Sequence, residues 1–122
     1  SAISNVRFKH QDFLVDSIKT KYDLIVSNPP YISKNTYDKL DSQIKDYEPQ
    51  QALTDFKDGY TFYKKFAREI NNILQPKGTL MLEIGLESTC KNIELLFNKP
   101  HYRINWHKDH NNNKRILEVT HE

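Results

Sequence analysis

The run Ile25-Val26-Ser27-Asn28-Pro29-Pro30-Tyr31-Ile32 constrains this chain more than any other stretch. Asp23 to Ser27 is a nearly continuous apolar strand, of the kind buried on both faces of a sheet. It has to end at Asn28, because two consecutive prolines carry no N–H and fix the backbone beyond it. An amide side chain, backbone carbonyls and an aromatic ring then stand at the carboxyl end of a strand, where open α/β sheets gather their ligands. Such a cluster suits a planar NH2 group. The Asn28 side-chain oxygen and the Pro29 carbonyl can accept its two hydrogens, and Tyr31 can pack on its flat face. Pro30 shapes the turn. A nitrogen held this way turns its lone pair toward an electrophile, so positioning and electrostatics would drive transfer to it. Asn-Pro-Pro also makes an ordinary turn. The strand before it and the long polar segment after it favour the chemical reading.

The remaining pattern is that of a layered α/β sheet. Val6 to Lys9 alternates and predicts a short strand, and Asp12 to Thr20 a connection with a turn of helix. Ser33 to Lys57 is polar without a sustained period, as in lids or disordered loops. Asp58 to Leu74 is the strongest helix. Tyr63, Phe66, Ala67, Ile70, Ile73 and Leu74 form one apolar face, with Pro76 and Gly78 as stop signals. Thr79 to Ile84 predicts a second buried strand. Glu87 to Asn98 predicts a helix that turns Cys90, Ile93, Leu96 and Phe97 inward. Tyr102 to His107 and Ile116 to Thr120 alternate and form a closing antiparallel hairpin, joined by the polar Asp109 to Lys114.

Composition narrows the function classes. A chain of 122 residues is one domain or less, and its formal net charge of +2 comes from intermixed signs. Lysines and arginines are spread along the sequence, which argues against a strong phosphate-binding surface and for a solvated face. A single cysteine, Cys90, allows no internal disulfide and fits a reducing compartment; its place on an apolar helix face is that of a small hydrophobe. Nothing approaches a membrane span. His101, His107, Asp109 and His110 lack the spacing of a metal site and read as surface residues, so no metal ligands are assigned.

Asn28 to Tyr31 is not the only distinctive element. Asn5-Val6-Arg7-Phe8 precedes Gln11-Asp12-Phe13-Leu14, and Tyr22 to Ser27 leads into the motif. Tyr47-Glu48-Pro49-Gln50-Gln51-Ala52-Leu53, Asp58-Gly59 with Phe62-Tyr63, and Leu74 to Gly85 follow it. In this order the segments resemble the class I S-adenosylmethionine-dependent methyltransferases that modify planar nitrogens. Within them the chain most resembles the HemK/PrmC family, the N5-glutamine methyltransferases of peptide chain release factors. Glu48-Pro49 to Leu53 resembles an element uncommon in adenine methyltransferases. The chain departs from the family in one respect. Its three glycines, Gly59, Gly78 and Gly85, lie too far apart to build the family's glycine-rich cofactor loop, and the acidic residue after the second strand has no counterpart.

The resemblance implies a partial Rossmann-like sheet that lacks its first two strands, with the C-terminal hairpin. Residues 1–122 would be the C-terminal part of one methyltransferase catalytic domain, without the N-terminal helical domain. It implies S-adenosylmethionine as cofactor, bound weakly or not at all by this chain alone. The target would be the glutamine amide in the Gly-Gly-Gln loop of a release factor, in the cytoplasm, reached by direct displacement at the sulfonium methyl. Asn28, Pro29, Pro30 and Tyr31 match the catalytic and substrate-binding motif, and Asn28 also lies beside the cofactor in the family. Asp12 and Phe13 match the adenine-contacting positions, although Asp12 equally suits a loop cap. Glu48 matches a residue ordering the substrate loop, and equally suits a solvated carboxylate. Nucleic acid would enter only indirectly. The alternatives are a DNA or RNA amino-methyltransferase acting on adenine N6 or guanine N2 after base flipping, or a non-enzymatic remnant. The implied strand order, 3-2-1-4-5-7-6, would leave Val6 to Lys9 a gap of roughly 14 Å from the Asp23 strand. That strand would have to pair with it directly, lose it, or meet a second chain in a homodimer.

Overall fold

The longest helix follows from a strict three-and-four spacing of apolar residues. In the computed structural model, which describes residues 5–40 and 47–122, Thr61–Ile73 (α3) buries Tyr63, Phe66, Ala67, Ile70 and Ile73 on one face. Two short helices precede it in the polar stretch after the proline pair, Lys34–Asp38 (α1) and Gln50–Leu53 (α2). The part of that expected lid at positions 41–46 lies outside the described residues. The strands are Tyr22–Ser27 (β1), Leu74–Glu83 (β2), Tyr102–Lys108 (β3) and Lys114–His121 (β4). A 3-10 turn at Glu87–Thr89 leads into Cys90–Phe97 (α4).

The helix α3 ends before its expected stop signals. Leu74 is already extended, and its N–H closes the last turn on the Ile70 carbonyl. Pro76 and Gly78 instead belong to a bulge in β2: Tyr22 pairs with Leu74, but Leu24 pairs with Thr79. The four intervening residues loop out, with Lys77 at a φ of 68°.

The sheet order is β1-β2-β4-β3, with β1 and β2 parallel and the other two pairings antiparallel. This is the 4-5-7-6 part of the order that the resemblance implies. Leu80 faces Val119 and Leu82 faces Leu117 across the central pair, and all four are fully buried. With the inner faces of α3 and α4 they form one core, which includes Phe66, Ile70, Ile93 and Phe97. Truncating any such side chain to alanine costs about 2–5 kcal/mol.

Two expectations are corrected. The strand β1 is not buried on both faces. Ile25 pairs with Leu80 and shares the helix-covered face, whereas Leu24 and Val26 point the other way and are 58% and 70% exposed. Both packed helices lie on one side, and β1 is the edge of the sheet. Nor do Val6 to Lys9 form a strand, since no described neighbour offers them a ladder; Phe8 is 95% exposed. The N-terminal segment is fastened elsewhere. Asp12 to Asp16 makes a tight turn, and the Phe13 ring packs on Phe66 with centroids 4.3 Å apart.

Candidate active site

Because β1 and β2 run parallel, with Ser27 beside Leu82, their carboxyl ends share one rim. Asn28 leaves this rim exposed, Pro29 is buried, and Pro30 and Tyr31 are half-buried. The rim is braced from both strands. The Tyr63 hydroxyl donates to the Glu83 carbonyl at 2.8 Å, and burial, reinforced by nearby Tyr31 and Glu83, pushes this phenol well above its ordinary value. The Ile84 N–H bonds the Arg115 carbonyl at 2.7 Å, and Arg115 Nη1 donates to the Gly85 carbonyl at 3.1 Å. Gly85 in turn lies against the Tyr31 ring.

Beyond Tyr31 the backbone is clamped by the segment leading into α3. The Ile32 N–H donates to the Leu53 carbonyl at 3.0 Å, and the Lys34 N–H to the Lys57 carbonyl at 2.9 Å. Gly59 closes this contact at a φ of 91°. A Cβ there would stand 2.5 Å from the Tyr31 carbonyl oxygen, so the position needs glycine for both space and dihedral. The buried carboxylate of Asp55 fixes that turn. It accepts from the N–H groups of Lys57 at 2.9 Å, Gly59 at 2.9 and 3.0 Å, and Thr61 at 3.0 Å. The sequence reading did not single out Asp55. Its signal was an aspartate two residues before one amide and four before a glycine, a pattern of side-chain-to-backbone turns.

Asp12, Phe13, Leu14, Pro30, Asp55 and Phe62 line one cleft of about 500 Å³. The turn expected to face a cofactor thus shares this cleft with Pro30, whereas Asn28, Pro29 and Tyr31 are not among its lining residues. The Asp12 carboxylate accepts from the Leu14 N–H at 3.0 Å, so it holds the turn as a cap would. Glu48 is exposed on the approach to α2, away from this lining. Phe13, Leu14, Pro30, Phe56 and Phe62 form its apolar walls. The chain's three glycines are otherwise engaged, against the Tyr31 carbonyl, in the β2 bulge and under the Tyr31 ring, so they supply no phosphate-type or amino-acid-binding loop.

Two pairs of polar side chains in the hairpin are tied to each other. Asp109 accepts from Arg115 Nε at 2.9 Å, and His107 Nε2 lies 3.2 Å from Glu118. Cys90 is buried in the core, and burial pushes its thiol up, away from thiolate chemistry.

Comparisons with known proteins agree with this architecture. The chain is 40% identical over 116 residues to a release factor glutamine methyltransferase of Fusobacterium nucleatum, an alignment covering 94% of this chain and 33% of that protein. It is 44% identical over 84 residues to the Bacillus subtilis protein of the same description, covering 67% and 29%. The fold is similar to the crystal structure of a methyltransferase from Pyrococcus furiosus, with a TM-score of 0.54 and 21% identity, over 85% of this chain and 42% of that one. The chain therefore spans about a third of the length of the curated relatives it matches. The resemblance carried by Tyr22 to Tyr31 and Tyr47 to Leu53 extends along nearly the whole chain. Residues 2–116 also match the family model described as Eco57I restriction-modification methylase, and the chain belongs to that family of methylases.

Proposed function

We propose that the protein to which this chain belongs methylates the side-chain amide of a glutamine in the Gly-Gly-Gln loop of a peptide chain release factor. The chain itself contributes the C-terminal part of the catalytic domain. One observation carries the reading: Asn28, Pro29, Pro30 and Tyr31 leave the carboxyl end of β1 beside a cleft that Asp12 and Phe13 share with Pro30. The Asn28 oxygen and the Pro29 carbonyl accept the two amide hydrogens and hold the NH2 plane. Tyr31 covers the flat face and excludes water, and Pro30 fixes the turn that sets these distances. Glu48 orders the polypeptide entering over α2. Asp12 and Phe13 hold the adenine side of S-adenosylmethionine, which when bound supplies an electrophilic methyl group. Identity with glutamine methyltransferases across 94% of the chain supports this substrate class.

A second reading has its own support, since the matching family model is described as a restriction-modification methylase. The same residues suit an exocyclic amine of a flipped base. The two are separated by giving the full-length protein a Gly-Gly-Gln peptide and a duplex oligonucleotide in parallel. Methyl transfer to the peptide that is abolished by Asn28→Ala supports the first reading. Transfer to the oligonucleotide alone would overturn it.

A further inference from the structure

The lysines and arginines that are spread through the sequence do not stay spread in the fold. Lys64, Lys65 and Arg68 recur at helical spacing on α3, so they occupy one of its faces, and Lys57 stands just before the helix. All four line a single cleft of about 470 Å³, against one lining carboxylate, Asp58. The lining therefore carries more positive charge than the formal net +2 of the whole chain. Asp58 is tied to Lys64 at 3.1 Å, and Lys65 to Glu69 at 3.6 Å. Lys57 and Arg68 are exposed and make no ion pair among the described residues at contact distance.

The position of this cleft matters as much as its charge. Leu14 lines both it and the cleft of Phe13 and Pro30, so the Asp12 to Asp16 turn is a shared wall. A polypeptide seated at Asn28 to Tyr31 can continue over Leu14 onto the basic face of α3. We propose that this face docks an acidic segment of the polypeptide substrate, an inference that rests on the reading of the site as a protein methyltransferase. The form of the charge favours polypeptide over nucleic acid. The basic face from Thr61 to Arg68 extends only about 10 Å, which suits a short acidic segment and is too short to track a continuous phosphate backbone. Lysine stems and Leu14 add apolar contact for side chains between acidic residues.

The test is fluorescence anisotropy on the full chain at low salt. One probe is a labelled decapeptide of alternating glutamate and leucine; the other is a single-stranded oligonucleotide of equal charge. The wild type should bind the peptide more tightly than the oligonucleotide, and Lys57→Glu/Arg68→Glu should weaken peptide binding at least tenfold. Tighter oligonucleotide binding would overturn the partner class, and binding of neither probe would overturn the site. In the full-length protein the same double variant should raise KM for an intact release factor about tenfold, with kcat and turnover of a bare Gly-Gly-Gln peptide unchanged. If the wild type methylates no such peptide, the reading of the active site fails, while the anisotropy arm still decides the docking surface.

Discussion

The Tyr31 ring rests directly on Gly85: a Cβ built on that glycine would fall 2.0 Å from Tyr31 Cζ and 2.2 Å from Cε2. A single methyl group therefore has to displace the ring from the rim. Gly85→Ala should destabilise the chain by about 1–3 kcal/mol, the usual cost of overpacking. In a Tyr31→Ala background the same substitution should cost almost nothing. Urea denaturation of the four proteins of this double-mutant cycle measures the coupling. Additive effects would show that the ring does not depend on Gly85.

Asp55 offers a second handle on the same motif, because its carboxylate gathers three backbone amides of the turn beneath Tyr31. Asp55→Ala strands those donors, and hydrogen bonds to a charged acceptor each contribute about 1.5–3 kcal/mol. The variant should lose about 3 kcal/mol, since the amides are partly reached by water. Asp55→Asn keeps one acceptor oxygen and should lose about half as much. Equal losses in the two variants would mean that packing, rather than the carboxylate, holds the turn.

These two contacts mark the limit of what the sequence discloses. The hairpin, the apolar face of α3 and the proline-terminated strand are local patterns, and each was legible because burial imposes its period on neighbouring residues. Burial of β1 was misread because Leu24 and Ile25 look equally apolar; which face is covered depends on helices that lie far along the chain. Val6 to Lys9 alternates like a strand, yet a strand exists only through its partner. Asp55 was overlooked for a related reason. Its spacing to Gly59 is a turn pattern, but that pattern does not reveal that the carboxylate meets three amides, one of them six residues away. The basic cleft likewise appears only when α3 brings Lys64, Lys65 and Arg68 beside Leu14.

Cofactor binding tests the half-site. The apolar cleft of Phe13, Pro30 and Phe62 offers a flat ligand one set of walls, but the glycines of the chain are engaged elsewhere. Calorimetric titration of S-adenosylmethionine into this chain should give no heat at micromolar concentration. Binding that weakens in Asn28→Ala would overturn that expectation and make the half-site competent alone. If the full-length protein carries the proposed activity, Asn28→Ala should lower its kcat about a hundredfold or more, the scale on which an oriented polar contact acts at a reacting centre.

The hairpin connection predicts an acid response. The hydrogen bond from Arg115, assisted by the amides of Asn113 and Asn111, holds the Asp109 carboxyl below its ordinary value of 3.8. A group lowered on folding stabilises above its unfolded value and loses that contribution as pH falls through the folded one. Thermal midpoints should therefore be insensitive to this residue above about pH 4 and fall below it. Asp109→Asn should flatten that fall slightly, and added salt should shrink the difference, because the pair lies at the surface with the Arg115 side chain 45% exposed. An unchanged acid limb in the variant would assign the response to other carboxylates.

The edge of the sheet predicts self-association. Among the described residues β1 pairs with β2 on one side only, and Leu24 and Val26 stand exposed on the face away from the helices. An apolar strand with free N–H and C=O groups is a template for another strand. We expect this chain to form dimers through β1, and Val26→Lys to abolish them without loss of the core, because its side chain lies opposite Leu80 and Leu82 across the sheet. Sedimentation velocity over a tenfold concentration range distinguishes the outcomes. A wild-type sedimentation coefficient that rises with concentration, with a constant monomer value in Val26→Lys, supports pairing through this edge. A monomeric wild type would mean that the exposed strand is shielded within a single chain, and an unchanged dimer in the variant would place the contact on another surface.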